Sequence, residues 1–196
     1  MIAPEGKPII LWGSLAVLAI HVMVGFYVWP IWLFIFILIW LYRSPQRVIP
    51  SAPLGIVSPT DGGILAVEHV HDPFLKRDAF CLRLKTHWYG GFVLRSVTEG
   101  KIMNYWAPQP GKRGAYAVWI QTDEQDDVVM AIQPLNPFSR IRQYLMAGER
   151  VGQGRPCGFV MLGAKIDVYL ATQARSERTV GQKVLGGQDL IAELVH

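Results

Sequence analysis

Apolar residues are distributed unevenly along the chain. From Ile9 to Val28 they run for 20 residues, interrupted only by Gly, Ser and His21. A helix of that length reaches across ~30 Å of hydrocarbon. Trp29-Pro30 follows, and a second apolar run extends over 12 residues from Ile31 to Tyr42, short for a full span. Two arrangements fit. One is a helical hairpin turning at Trp29-Pro30, where proline breaks the helix. The other is one span plus an interfacial or re-entrant segment. The lengths and the proline favour the hairpin. A cleaved signal peptide fits poorly, because Lys7 is the only early positive charge and no small-residue cleavage site precedes the second run. A buried hairpin of a soluble protein is disfavoured by the four tryptophans near the run ends, a pattern of membrane interfaces. Lys7 before the segment and Arg43 and Arg47 after it place both ends on the cytoplasmic side. His21 is expected to bond a neighbouring backbone group or a lipid headgroup rather than do chemistry.

The pattern changes after Tyr42. Pro45, Pro50 and Pro53 make residues 43–54 an extended linker. Beyond it, short apolar runs alternate with Gly and Pro turn signals: residues 55–57, 63–67, 80–84, 116–120, 128–132 and 164–170. This spacing predicts an all-β barrel or sandwich over residues 55–196. Residues 140–145 read equally as a strand or a helical turn. The acidic cluster Asp123-Glu124-Gln125-Asp126-Asp127 reads as a solvated hairpin turn rather than a metal site. One weak repeat is visible. Gly148-Glu149-Arg150-Val151 and Gly181-Gln182-Lys183-Val184 each place a Gly-x-x-Val step before a further glycine turn. Such steps are similar to the turns of lipoyl and biotinyl barrel-sandwich domains. No exposed lysine sits at a hairpin tip as a lipoyl site requires.

Composition refines this picture at two points. Hydrophobic residues make up 51% of the 196 and charged residues 17%, a balance that leans toward membrane association. Residues 1–42 carry only Glu5 and Lys7, so the net charge of +4 belongs to the later part. That charge suits an anionic membrane surface and is too weak and scattered for nucleic-acid binding. Cys81 and Cys157 have no CxxC spacing, which argues for buried free thiols and against a disulfide framework or zinc site.

Four separated motifs, in order, resemble one family. Leu41–Arg47, Val57-Ser58-Pro59-Thr60-Asp61-Gly62, the long stretch from Ile141 to Leu170, and Val180–Gly187 are similar to segments of the short bacterial and archaeal phosphatidylserine decarboxylases. Each motif alone is weak, and together they cover nearly the whole chain. The resemblance implies a mainly β fold behind a membrane anchor. It implies a chemistry in which a serine following a glycine attacks the glycine carbonyl to give an ester. β-Elimination then cleaves the chain and leaves a pyruvoyl group, which serves as electron sink while carbon dioxide leaves the serine lipid. A serine hydroxyl needs a base for this, and the family uses a histidine oriented by an aspartate.

Carried onto this sequence, the aspartate corresponds to Asp61, which also suits an Asx turn before Gly62-Gly63. The glycine corresponds to Gly163 and the serine to Ala164. Anchoring on Arg95 and Gly100 puts Phe92 at the histidine position, with Leu94 and Gly90 replacing neighbouring polar residues. His87 is a weak substitute, because an odd offset from Phe92 in a regular strand points to the opposite face. Cys157 is a poorer substitute nucleophile, seven residues before Ala164. A polar motif of the family is eroded to Gly111-Lys112-Arg113-Gly114. No pyruvoyl group is expected with alanine at 164, and no metal. The expectation is a decarboxylase-like protein that is catalytically silent as written, at the inner membrane with its β domain on the cytoplasmic side. Membrane phospholipid, including phosphatidylserine, is the expected partner, and a second copy or an active paralogue is a further one. Two alternatives stay open: a genuine decarboxylase making phosphatidylethanolamine with its serine replaced, and a lipoyl-like interaction module.

Overall fold

The computed structural model describes residues 3–87, 92–109 and 114–195, and the chain divides into two units, residues 1–46 and 47–196. In the first unit, helix α1 (Gly6–Val24) leads through a 3-10 turn (Gly25–Val28) into helix α2 (Trp29–Leu41). Gly25 ends α1 at φ +80°, and its N–H donates to the His21 carbonyl. The reversal therefore falls at Gly25–Val28, ahead of the predicted Trp29-Pro30. Pro30 stands in the first turn of α2, where its missing N–H costs no hydrogen bond. The two ends meet: the Ala3 N–H donates to the Tyr42 carbonyl at 2.8 Å, and Gly6 lies so close to the Tyr42 ring that a Cβ would collide with it. Trp12, Met23 and Phe36 stand on the outside of the pair. The helix over Gly6–Tyr27 is long and apolar enough to cross a membrane, with mean hydropathy 2.2, whereas α2 is shorter. Among the described residues, His21 Nδ1 is buried and has no hydrogen-bond partner.

The second unit is built from strands. An eight-stranded sheet curls into a half-barrel from β2 (Gly62–Asp72), β3 (Arg77–Thr86), β5 (Gly100–Trp106), β6 (Tyr116–Gln121), β7 (Asp127–Pro134), β9 (Arg150–Val151), β11 (Ala164–Leu170) and β13 (Lys183–Val184), in the order β13-β2-β3-β11-β7-β6-β5-β9. Two three-stranded sheets complete it. One is β1 (Gly55–Val57), β14 (Leu190–Glu193) and β12 (Arg175–Ser176); the other is β4 (Val93–Arg95), β10 (Pro156–Met161) and β8 (Arg140–Gln143). Residues 140–143 are thus a strand. The inward faces bury Ile64, Leu82, Leu84, Ile102, Ile120, Met130, Ile132, Ile166 and Leu170 in one core. A smaller cluster on the outer face packs Cys81, Val129 and Tyr169 under Phe74, Trp106 and Trp119.

The weak repeat is the visible part of an approximate two-fold symmetry. Gly148 and Gly181, at φ +91° and +88°, each open a two-residue strand at opposite edges of the large sheet. The Gly148 N–H donates to the Ile102 carbonyl and the Gly181 N–H to the Ile64 carbonyl, both at 2.8 Å. Both β2 and β5 carry a bulge directly after that isoleucine. Ser58 Oγ donates to the Thr60 carbonyl, and Ser96 Oγ to the Thr98 carbonyl. The halves then cross: the Val57 N–H donates to the Val97 carbonyl, and the Arg95 N–H to the Pro59 carbonyl, both at 2.9 Å. Residues 54–64 and 92–102 therefore occupy equivalent places. Phe92 is the counterpart of Leu54, since their carbonyls accept from Val160 and Leu194 respectively.

The equivalence makes a paired prediction. A Cβ on Gly62 would strike the Lys85 carbonyl, and one on Gly100 the Gln121 carbonyl. Gly62→Ala and Gly100→Ala should each destabilise the β unit by about 1–3 kcal/mol, the range for overpacking. At Gly63 the nearest atom is 3.6 Å away, and Gly63→Ala should cost far less. Denaturant midpoints of the three variants, read by tryptophan fluorescence, check this.

Candidate functional site

Four adjacent strands of the large sheet end side by side at Gly62, Thr86, Ala164 and Pro134, with Gly62 paired to Thr86 and Ala164 to Pro134. Into this row the chain enters from the smaller sheet. β10 stops at Met161 and β11 starts at Ala164, so only Leu162 and Gly163 make the connection. Both have positive φ, +61° and +89°. The left-handed region suits glycine and costs a leucine about 1–2 kcal/mol.

Specific bonds hold the turn there. Asn136 Nδ2 donates to the Leu162 carbonyl at 2.9 Å. The Gly163 carbonyl accepts from Ser139 Oγ at 3.0 Å and from the Leu135 N–H at 3.3 Å. The Asn136 N–H donates in turn to Ser139 Oγ, which orients that hydroxyl. The Ala164 N–H, fully buried, donates to Thr86 Oγ1 at 2.8 Å. Both sides of the Gly163–Ala164 peptide are thus fixed. Two donors aimed at one carbonyl oxygen polarise it and stabilise negative charge developing there, as in an oxyanion hole. A cleft of about 610 Å³ opens beside the turn, lined by Gly163, Leu162, Thr86, His87, Lys85 and Lys183 among others.

The residues singled out in the sequence are distributed around this peptide unequally. Gly163 is in the turn, and Ala164 is buried behind it. His87 follows Thr86 and lines the cleft, and its N–H donates to the Asp61 carbonyl at 3.0 Å. The connection from His87 to Phe92 passes through residues 88–91, so Gly90 lies outside the described residues, as do Gly111, Lys112 and Arg113. The Asp61 carboxylate is occupied: Oδ2 accepts from Arg47 at 2.7 Å and Oδ1 from the Gly186 N–H at 2.7 Å. Phe92 is 2% exposed, with its ring 6.1 Å from that of Phe159, and it is not among the residues lining the cleft. Leu94 is buried in the main core. Cys157 and Cys81 are free and buried, and burial pushes each thiol up to about 12. Among the described residues no group of His, Cys, Asp and Glu could hold a metal ion.

Sequence reasoning missed Thr86, Ser139 and the pairing of Arg47 with Asp61. A threonine closing an alternating run and a serine closing Asn-Pro-Phe-Ser both carry local turn signals. Their partners lie 78, 24 and 14 residues away, which no local pattern shows.

Fold and turn together define a β protein joined to an apolar helical hairpin, with its best-organised chemical feature at one polarised Gly-Ala peptide. The comparisons make the assignment specific. The chain is 34% identical to the phosphatidylserine decarboxylase proenzyme of Burkholderia vietnamiensis, and 33% to those of Burkholderia multivorans and Burkholderia lata. Each match covers 99% of this chain and 96% of the relative. The chain belongs to the phosphatidylserine decarboxylase family. No family model and no solved structure matches it.

Thr86→Val keeps the shape but leaves the buried Ala164 N–H without an acceptor, which should cost about 1–3 kcal/mol, whereas Thr86→Ser should restore most of it. Thermal unfolding of the two variants decides this. Both thiols should resist alkylation at pH 8 in the native protein and react fully in denaturant, as mass spectrometry would show. Each thiol is raised from 9.0 to about 12 by folding, chiefly through burial. The stability this contributes is therefore complete below pH 9 and is lost as pH climbs toward 12.

Proposed function

We propose that this chain is a membrane-anchored phosphatidylserine decarboxylase homologue that does not process itself and acts by binding phospholipid or a partner in phospholipid metabolism. The observation that carries the reading is Ala164. It stands on the far side of a peptide whose carbonyl is held by Ser139 and the Leu135 N–H. The methyl group of Ala164 offers no nucleophile to attack that carbonyl and no oxygen to leave by β-elimination, so no pyruvoyl group can arise from it. Phe92, at the position the resemblance assigns to the activating histidine, contributes a buried ring instead of a base. Asp61 is the candidate for the orienting aspartate, and its carboxylate is engaged by Arg47 and Gly186. The hairpin with Lys7, Arg43 and Arg47 on its flanks supports the inner membrane, with the β unit on the cytoplasmic side. A second copy or an active paralogue is the protein partner this reading allows.

A second reading has its own support. The Gly163 carbonyl remains clamped, Thr86 holds the following N–H, and His87 lines the cleft. These features suit a genuine decarboxylase whose serine has been replaced, with His87 as base.

Electrophoresis of the purified protein should show one chain of 22.0 kDa. Two fragments of 163 and 33 residues, broken before Ala164, would overturn the first reading. Ala164→Ser separates the two. Continued integrity supports a silent homologue, and cleavage with carbon dioxide release from phosphatidylserine supports the disarmed enzyme.

A further inference from the structure

Lys183, Lys85 and Lys165 share one row. Lys183 pairs with Gly63, Gly63 with Lys85, and Lys85 with Lys165, so all three side chains leave the same, outer face of the large sheet. Neighbouring strands lie ~4.8 Å apart, so the three ammonium stems span about 15 Å. Gly63 leaves the space between Lys183 and Lys85 open. Among the described residues, no carboxylate forms an ion pair with any of the three. The next row shows the contrast: Arg83 is flanked by Glu68 at 2.8 Å and Asp167 at 3.0 Å. The lysine row is thus a local concentration of uncompensated positive charge at the end of the sheet that carries the Gly163 turn.

Apolar side chains stand beside it in the open. Leu65, Leu135 and Leu162 are 45%, 42% and 38% exposed, and all three line the cleft. Lysine ammoniums next to protruding leucines match the two layers of a bilayer surface: phosphate-level anions and the acyl boundary beneath them. An acidic protein surface would pair with the lysines but would leave the leucines without a matching partner.

We infer that this rim is a docking surface for an anionic phospholipid bilayer, with the Lys183–Lys85–Lys165 row on the headgroups and Leu65, Leu135 and Leu162 at the acyl boundary, so that the cleft opens onto lipid. The inference deepens the lipid-binding reading above and rests on it for the choice of a bilayer. At roughly fivefold in partition per lysine near an anionic surface, the row should shift the docked population on the order of a hundredfold.

The full chain is reconstituted in phosphatidylcholine vesicles with or without phosphatidylglycerol, both carrying a lipid-borne nitroxide quencher. A fluorophore is placed at Leu65→Cys or, as control, at Glu124→Cys in the β6–β7 turn at the other end of the sheet. The Leu65→Cys probe should be quenched several-fold more in anionic than in neutral vesicles. Lys85→Gln/Lys165→Gln/Lys183→Gln should abolish that difference without moving the thermal midpoint, since these lysines are exposed or half-exposed. The Glu124→Cys probe should stay unquenched. Equal quenching in both vesicle types, an unaltered difference in the triple variant, or equal quenching at both probe sites would each overturn the docking surface. Self-cleavage of Ala164→Ser would overturn the silent-homologue reading while leaving these quenching ratios unmoved, so the two failures are distinguishable.

Discussion

The β unit depends on one reciprocal exchange of backbone hydrogen bonds. Val57 donates to Val97 and Arg95 donates to Pro59, and this pair ties two equivalent segments across an approximate two-fold axis. Each segment runs through Ser-x-Thr to an acidic residue and a glycine: Asp61-Gly62 in one and Glu99-Gly100 in the other. Each glycine lets its strand pass close against a neighbour's carbonyl, Lys85 or Gln121. Once these crossings are set, both hairpins of the large sheet and both small sheets follow. The edge strands β9 and β13 then close its two sides by the same Gly-x-x-Val step.

Function, where it exists, must lie where the halves differ. Thr86, the last residue of β3, and Thr122, directly after β6, stand at equivalent places. Thr122 Oγ1 accepts from the Asp126 N–H and closes its own hairpin. Thr86 Oγ1 instead accepts from Ala164, far away in sequence. The Asp123–Asp127 turn is the bland counterpart of the cleft: its charges face solvent or serve structure, as Asp127 does for Trp119 and Gln121. The symmetric scaffold thus offers two strand ends. Only one receives the entering chain at Leu162-Gly163, and beside it stand the exposed leucines and the lysine row.

Legibility in the sequence tracked burial pattern. Residues 164–170 and 128–132 were readable as strands because both are dense in β-branched and apolar residues flanked by turn signals. β10 was not, since Pro156 and Gly158 interrupt it; Gly158 lies so close to the Arg142 carbonyl that a side chain would not fit. β4, β9, β12 and β13 have only two or three residues and owe their existence to pairing, not propensity. The length of the apolar runs reveals the hairpin, but the reversal lies at Gly25–Val28 and Pro30 stands inside the first turn of the second helix. Of the site, Gly163, Ala164 and Asp61 were visible through the family resemblance. Ser139, Thr86 and Arg47 were invisible because each acts through a partner that only folding brings near.

That division bears on the meaning of Ala164. A self-processing peptide needs a polarised carbonyl, a hydroxyl and a base. The first is present, but the fold would demand it in any case. A turn with two successive positive-φ residues exposes carbonyls that must find donors, and Ser139, Asn136 and Leu135 supply them. The Asp61 carboxylate is likewise explained by structure alone, since it pairs with Arg47 and holds the Gly186 N–H. The hydroxyl and the base have no such structural duty. Alanine fills the buried position at 164, and phenylalanine at 92 is buried with its ring against Phe159. On the silent-homologue reading proposed above, the clamped carbonyl and the Asp61 pairing persist because the fold requires them, while the hydroxyl absent at 164 is a group that only chemistry requires.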